Sequence, residues 1–512
     1  MNISTWIERN AQFSPNKIAI YFEGQTISYR ELSDQIETAA RMLSGTLNVG
    51  HGDRVSLLAT NIPEYLVALF ACAKIGAILN PLNWRLAIPE LAYIVQNAES
   101  SVLLIEQEYA DFSAHVNSKM PSIHQVGFDF KPDSGHTWSE LMANAPAEPP
   151  TSAGSISDTI QLVYTSGTTG HPKGAMLSQN ALLWNAVQSQ HMHSMTKDDV
   201  ILTCLPLFHV GGLNNQTTPA LHAGASVVLQ RRFVPDDVLS AISAADGVHP
   251  APTICCLVPA TQAAVIGSPR WQATGFSQLR IVCTGSMLVP RHLSDEFRKV
   301  GVIVVEMYGC TETTPIAVYH RGDSDFDRVG STGLPGLHCE VKIIDANGNQ
   351  LPAGEEGEIL LRGPNIMQGY WRNPKATASA LEDGWFRTGD IGRQDEDGYV
   401  YIKDRKKNMI ISGGENIYAA EVERVLVEHP AVAECALIGM PDKKWGERPE
   451  MVVVPDNTNS EGLDEAVLKI FMQDKIARFK QPRVYHFVNE LPKNALGKVQ
   501  HFKLRQDFAN GG

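Results

Sequence analysis

Residues 164–174 read YTSGTTGHPKG, a run of small hydroxyl residues and glycines closed by Pro172 and Lys173. The run before it, TIQLVYT (159–165), is β-branched and apolar and reads as a strand, while Ser178 beyond it stands where it would cap a helix beginning QNALLWNAV. A flexible Gly/Ser/Thr segment leaving a strand turns backbone N–H groups and hydroxyls onto phosphate oxygens, and Lys173 supplies a positive charge for them. It is not a Walker loop, because no Gly-Lys-Ser/Thr follows at the spacing that motif needs. Gly/Ser content alone would describe an ordinary polar surface loop.

The chain around this stretch has 512 residues, 43% of them hydrophobic, enough for more than one core, so at least two domains are expected. A formal charge of −13 speaks against a nucleic-acid surface and for a small-molecule substrate. Eight cysteines (72, 204, 255, 256, 283, 310, 339 and 435) are scattered without a CxxC pair, as free thiols in a reducing compartment would be. Each reads as a small buried hydrophobe. The opening MNISTWIERNAQ lacks the basic start and apolar core of a signal peptide, so a cytoplasmic location is expected. The longest apolar run, YLVALFACAKIGAIL (65–79), falls short of the roughly 20 residues that a membrane span needs and is interrupted by Lys74 and Gly76. It reads as a buried helix, and no transmembrane segment is expected.

Short β-rich runs alternate with helical patterns through much of the chain, as in RVSLLA followed by PEYLVALFACAKIG, which implies α/β layers. Between Gly322 and Asp404 the texture changes to short strands punctuated by turn signals such as DANGN and PAGEEGE. After Lys407, AAEVERVLVEHPAVAECALIGMPD reads as helix then strand and DEAVLKIFMQDKIARFK as a second helix, so a small α+β domain closes the chain. The expected fold is α/β: a large multi-subdomain N-terminal domain with layered α/β sheets and a β-rich module, and a small α+β C-terminal domain.

The opening stretch matches the phosphate loop of the adenylate-forming superfamily of acyl-CoA synthetases, adenylation domains and luciferases residue for residue, with His171 at the variable position. Four more blocks fall in that family's order and spacing: YGCTE (308–312), FRTGD (386–390), DRKKNMIISGGENIYAAEVE (404–423) and LPKNALGKV (491–499). On these five blocks the chain resembles that superfamily, and its acyl-CoA synthetase (acid–CoA ligase) branch in particular. The resemblance implies an ATP- and acid-binding domain over 1–406 and a mobile domain over 407–512, with ATP, Mg²⁺ and coenzyme A as cofactors.

It also implies roles for individual residues. Thr165, Ser166, Thr168 and Lys173 would handle the β- and γ-phosphates, with Gly167, Thr169 and Gly170 in the same loop. Glu312 would hold Mg²⁺, a hard cation that prefers oxygen, and Thr311 would meet the α-phosphate. Tyr308 would offer a face to adenine, with Gly285, Ser286 and Met287 as the opposite wall and Met307, Gly309 and Cys310 beside it. Asp390 would bind the ribose hydroxyls as an acceptor-only carboxylate, and Arg405 would reach the same ribose. Lys498 would contact both the carboxylate and the α-phosphate during adenylation. Outside this constellation an Asp after Gly is a turn former, a Thr-Glu pair a helix start, and a late Lys a solvated surface charge.

A second half-reaction, with a thiol, follows in such enzymes after the small domain rotates about a hinge, which here falls on Lys407. Ser412, Gly413 and Gly414 would approach a pantetheine arm, and Trp445, Phe479 and Arg483 match a surface that holds the CoA nucleotide in relatives. Gln481 departs from the basic residue that some relatives carry there.

The acyl pocket of the family corresponds here to His209, Val210, Gly211, Gly285, Met287, Gly309, Thr313 and Pro315. Without Arg or Lys in these segments a dicarboxylate is disfavoured, since its second charge would lack a partner. No Asp stands where amino-acid adenylating domains anchor an ammonium group. An apolar monocarboxylate follows, with a medium- or long-chain fatty acid favoured slightly over an aryl or phenylpropenoic acid. His209 gates that pocket or packs beside it. The rivals are an adenylating enzyme that loads a carrier protein, a luciferase-like oxidative enzyme, and a non-catalytic nucleotide-binding relative. A homodimer is compatible with the resemblance.

Overall fold

The α/β alternation of the first 320 residues builds two mostly parallel sheets in the computed structural model, which describes residues 1–165, 172–244, 247–286, 289–323, 328, 330–405, 408–412, 415–442, 445–456, 460, 462–473, 475–476, 478–493 and 497–509. Among these residues one sheet of nine strands runs in the order Leu334–Pro335, Val318–Tyr319, Ile303–Tyr308, Ile281–Thr284, Ile254–Cys256, Val200–Thr203, Ser226–Leu229, Ile18–Phe22, Gln25–Ser28. Its six middle strands are parallel and its edges antiparallel. The second sheet, of eight strands, runs Gly369–Tyr370, Lys173–Ser178, Thr159–Thr165, Ile78–Pro81, Arg54–Leu58, Ser100–Ile105, His124–Gly127, His136–Thr137. Parallel strands with helices on both faces read as near-continuous apolar runs, as in IVCT (281–284) and SVVL (226–229), buried throughout.

The apolar run at 65–79 forms the expected buried helix only as far as Ile75, in Pro63–Ile75, and its end passes into the strand Ile78–Pro81. Gly76 ends the helix in the left-handed region at φ 77°, where a residue without Cβ is favoured. Lys74, which interrupts the run, pairs with Glu8 at 2.7 Å and Glu37 at 2.9 Å, so its charge is answered where the helix meets its neighbours. No helix among the described residues is long and apolar enough to cross a membrane. All eight cysteines are free thiols, six of them buried and Cys310 and Cys435 partly so.

Two compact units divide the chain: residues 1–328, 332–340 and 361–386 form the first, and 329–331, 341–360 and 387–512 the second. The β-rich region forms a sheet ordered Glu340–Ile344, Gly357–Arg362, Trp385–Gln394, Leu381–Glu382, with Val400–Arg405 along Trp385–Gln394. Near the C-terminus a sheet runs Glu415–Ile417, Ile410–Ser412, Gly446–Pro455, Val432–Asp442, and Val484–Phe487 lies parallel to Gly446–Pro455. Alternation along Val432–Asp442 serves two cores: Leu437 packs with Val422, Leu426, Leu468 and Met472, while Ala436 and Ile438 pack with Leu491 and Leu504. The second helix expected there is shorter than its pattern, Glu465–Met472, because Gln473 leaves helical dihedrals at ψ 137°. The chain thus has the mixed α/β fold expected, with a large N-terminal and a smaller C-terminal part.

Candidate active site

The opening stretch is the tip of a hairpin. Thr159–Thr165 pairs antiparallel with Lys173–Ser178, Thr165 directly opposite Lys173, and the Thr165 hydroxyl donates to the Lys173 carbonyl at 3.5 Å. The helix Gln179–His193 does begin at Ser178, whose hydroxyl accepts the Ala181 N–H at 3.0 Å, but a strand intervenes between it and the loop. That strand, KGAMLS, alternates too little to be read from sequence and owes its existence to pairing on both sides. Ser166, Gly167, Thr168, Thr169 and Gly170 lie outside the described residues.

On the far side of Lys173–Ser178 lies Gly369–Tyr370, with Tyr370 opposite Ala175. Its ring centroid is 5.5 Å from the Lys173 Nζ, within cation–π reach. Its hydroxyl donates to Glu312 Oε1 at 2.7 Å. The Glu312 carbonyl accepts the Met367 N–H at 2.8 Å, which fixes the turn Thr311–Thr313 against the same segment. Lys173 and Glu312, 139 positions apart in SEQ numbering, are therefore brought to one aromatic ring.

The segment around Glu312 is tightly constrained. A Cβ on Gly309 would lie 1.7 Å from the Pro315 carbonyl oxygen, so only glycine fits. The Thr313 hydroxyl accepts the Cys310 N–H at 2.9 Å and lies 2.8 Å from the Pro315 carbonyl, so it is committed inside the turn. Thr311 and Thr313 are buried, Tyr308 and Cys310 partly so. Buried Asn365 donates to the carbonyls of Thr313 and Ile316 at 2.8 and 2.7 Å and holds the turn from behind. Thr314 and Ser286 adopt φ of 72° and 77°, unusual for residues with a Cβ and typical of functional loops, where such strain costs about 1–3 kcal/mol. A Cβ on Gly285 would sit 2.6 Å from the Met307 carbonyl, so the ends of two adjacent parallel strands meet there. Met287 lies outside the described residues. Gly285, Tyr308 and the turn thus follow the carboxyl ends of parallel strands, where open α/β sheets bind ligands.

Along the same edge, His209 follows Val200–Thr203 and caps the short helix Val210–Gly212: its Nδ1 accepts the Gly211 N–H at 3.0 Å, which leaves the ring proton on Nε2. A π-helical turn, Leu213–Thr217, comes next. Buried amides lock it in place. Asn214 and Gln161 exchange hydrogen bonds of 3.2 and 2.8 Å, Asn185 donates to the Asn214 carbonyl at 2.6 Å and accepts the Ile316 N–H at 3.1 Å, and Ser189 donates to the Asn215 carbonyl at 2.6 Å. One helix, Gln179–His193, therefore positions both the 209–217 segment and the segment after Glu312.

The other expected residues belong to the second unit. Asp390, buried, is the Cα partner of Arg405 across the pairing of Trp385–Gln394 with Val400–Arg405, so these two are brought together; the Thr388 hydroxyl accepts the Asp390 N–H at 3.0 Å. Ser412 ends the strand Ile410–Ser412 opposite Glu415 and Gly446. The Arg483 guanidinium lies 4.8 Å from the centre of the Trp445 ring, which joins two more. Lys498 is exposed on a loop closed by the bridge Lys493↔Val499, with Gly497 at φ 79° before it. Lys407, Gly413, Gly414 and the side chain of Phe479 lie outside what is described.

Sequence reading missed Tyr370 and Asn365. Both lie just beyond the β-rich strands in a segment, GPNIMQGYW, that carries no charge and no motif read above. No group of three or more His, Cys, Asp or Glu among the described residues is placed to hold a metal alone. A single carboxylate held by a tyrosine beside a lysine suits Mg²⁺, which is commonly bound by one or two carboxylates together with substrate phosphates.

Known proteins are similar to this chain over nearly its whole length. Residues 7–371 fit the model of the AMP-binding enzyme family and residues 421–498 that of the AMP-binding enzyme C-terminal domain. The chain is 44% identical over 507 residues to an indoleacetate–CoA ligase of Aromatoleum aromaticum, covering 99% of this chain and 98% of that one. It is 37% identical over 508 residues to a feruloyl-CoA synthase of an Amycolatopsis species, covering 99% of each. Among solved structures, an O-succinylbenzoate coenzyme A synthetase (MenE) of Bacillus subtilis in complex with ATP and magnesium ion superposes with a TM-score of 0.84 at 30% identity, covering 98% of this chain and 99% of that one. With both family models matched and relatives aligned end to end, the chain belongs to the AMP-binding enzymes and is an AMP-forming acid–CoA ligase that works with ATP, Mg²⁺ and coenzyme A.

Proposed function

We propose that the acid is an aromatic monocarboxylate, its ring joined to the carboxylate directly or through a short chain. The observation that carries this is the end-to-end similarity to ligases named for indoleacetate and ferulate. The expectation of a medium- or long-chain fatty acid gives way to the aryl alternative.

In this reading a carboxylate oxygen of the acid attacks the α-phosphorus of ATP and pyrophosphate leaves. The loop from Thr165 to Lys173 holds the departing phosphates, with the Lys173 ammonium balancing their charge. Glu312, aimed by Tyr370, would hold Mg²⁺, which would neutralise phosphate charge when bound. Tyr308 and the Gly285–Ser286 turn flank the adenine, and Asp390 with Arg405 takes the ribose. Lys498 stabilises the charge passing to pyrophosphate. The CoA sulfur then attacks the acyl carbonyl, its proton is lost to solvent, and AMP leaves. Ser412, Trp445 and Arg483 guide the thiol. The functional division runs at Lys407, with 1–406 binding ATP and acid and 407–512 carrying Lys498. A cytoplasmic setting suits eight free thiols.

The test is pyrophosphate release with MgATP over a panel of indole-3-acetate, phenylacetate, benzoate, cinnamate, ferulate, octanoate and palmitate, with and without CoA. CoA-dependent turnover and a thioester from the aromatic acids is the expected result. Turnover confined to the fatty acids would overturn the aryl reading, and a stoichiometric burst that CoA does not convert to turnover would indicate a carrier-protein acceptor instead.

A further inference from the structure

Glu423 ends the block 404–423 and His501 stands three residues after Lys498, and neither has a role in the reading above. Both lie in the second unit. The His501 Nε2 is 2.9 Å from Glu423 Oε1, and the two side chains are only 14% and 21% exposed. The same carboxylate oxygen accepts the Leu437 N–H at 2.7 Å, so the strand Val432–Asp442 holds Glu423 in place while it meets His501. Glu423 belongs to the helix Ala419–Leu426, whose first turn is fixed by Asp404, which accepts the Ala420 N–H at 2.9 Å.

His501 opens the helix His501–Ala509. A cation in the first turn of a helix opposes the helix dipole, so an imidazolium there needs a carboxylate beside it. Burial would push the His501 pKa down, but the hydrogen bond and charge of Glu423, with Asp404 beyond it, outweigh burial and hold it above the ordinary value of about 6.5. Arg505 on the same helix opposes them. The other carboxylates near this helix are answered elsewhere: Glu434, on the face of Ala436 and Ile438, by Lys493 at 2.5 Å, and Glu450 by Arg448 and by His486 at 2.7 Å. The Glu423–His501 pair is therefore ionic below the raised value and is lost as pH rises through it.

The loop that presents Lys498 is closed at its base, where Val499 bridges Lys493 and the Gln500 N–H donates to the Pro492 carbonyl at 2.8 Å. That base runs straight into His501. A turn further on, Leu504 is buried with Ala436, Ile438 and Leu491. Apolar packing of this kind is non-directional. The hydrogen bond to Glu423 is directional, and it fixes how the helix start, and with it the loop base, is turned.

We propose that the Glu423–His501 pair is a positioning device for Lys498: joined, it aims the lysine loop for acyl-adenylate formation; parted, it lets the loop base shift. His501 acts through Lys498 and not on substrate, so this rests on the reading of Lys498 given above.

The experiment measures both half-reactions in single turnover from about pH 6 to about pH 9, with MgATP and the best acid of the panel above, or with supplied acyl-adenylate and CoA. In the wild-type enzyme adenylation should decline on the alkaline side relative to thioester formation. A displacement of about 1 Å near a reacting centre can cost about 100-fold, so His501→Ala should lower adenylation by roughly tenfold at neutral pH and leave thioester formation within about twofold. His501→Arg, a cation at every pH used, should recover most of that loss and remove the alkaline decline. A purely structural role would lower both half-reactions together, and equal loss in His501→Ala overturns the proposal. So does a decline that persists unchanged in His501→Arg, or its absence from the wild-type enzyme, which needs no variant to fold. If Lys498→Ala lowers both half-reactions equally, the reading of Lys498 fails and this inference with it. Half-reactions separated by Lys498→Ala but not by His501→Ala defeat this inference alone.

Discussion

Tyr370 carries no charge that would mark it in a sequence, yet it touches both ionic residues of the phosphate end, its ring facing Lys173 and its hydroxyl on Glu312. Removing the hydroxyl in Tyr370→Phe keeps the ring and frees one carboxylate oxygen. A hydrogen bond to a charged group is worth about 1.5–3 kcal/mol, so turnover at limiting Mg²⁺ should fall by roughly tenfold and recover in part as Mg²⁺ is raised. Pyrophosphate release titrated with Mg²⁺ checks this, and an unchanged titration curve would mean that Tyr370 does not orient the carboxylate. Lys173 and Glu312 were legible because they stand in recognisable blocks. Tyr370 and Asn365 were not, because what they do depends on Gly369–Tyr370 pairing with a strand almost 200 residues earlier in the chain.

The helix Gln179–His193 makes the same point at the scale of an element. Its sequence has almost no amphipathic pattern, since Gln179, Asn185, Gln188, Ser189 and His193 are buried alongside Ala181, Leu182, Ala186 and Met192. Polarity would turn those residues outward; the partners that keep them inside are Ile3 and Ala73 for Gln179, and the 213–217 turn and Ile316 for the others, which no local pattern announces. The alternating α/β texture and the buried helix Pro63–Ile75, by contrast, were readable because apolar burial alone decides them. Burial also sets a pH dependence. His193, held down near 4, is neutral in the folded chain, and the unfolded chain binds its proton below about 6.5. That stability is present above about pH 6.5 and is lost as pH falls toward 4, by about 3 kcal/mol in all. Glu306 works the other way: burial pushes its carboxyl up to about 7, so stability present below the ordinary carboxylate range is lost as pH rises through 7. Urea unfolding should therefore find Glu306→Gln more stable than wild type near pH 8 and equal to it near pH 5. The cost of His193→Gln should be larger near pH 7 than near pH 4.5. Parallel pH curves for variant and wild type would refute each.

At the scale of the whole molecule, Lys173 and Glu312 belong to one compact unit and Asp390, Trp445 and Lys498 to the other. If the small domain serves two half-reactions in turn, substitutions in it should separate them. Lys498→Ala should lower acyl-adenylate formation by about 100-fold or more, as loss of a charge-stabilising group does, and spare thioester formation from supplied acyl-adenylate. Lys407→Pro should do the reverse. Single-turnover assays of each half-reaction decide the matter, and equal loss in both for Lys498→Ala would sink its assignment.

The first strand of the chain, Ile18–Phe22, lies in the nine-stranded sheet beside Ser226–Leu229, with Ile20 opposite Val227. During synthesis that partner emerges about 200 residues later, a wait of roughly 10–40 s at about 5–20 residues per second. Through that interval an apolar strand and the hairpin partner Gln25–Ser28 have a free edge, the kind that pairs with other chains. The C-terminal sheet is built mostly from neighbours in sequence, as in the pairing of Val432–Asp442 with Gly446–Pro455. The newborn large unit, rather than the finished enzyme, is thus the form most in need of a chaperone, and slower growth at lower temperature should raise its soluble yield.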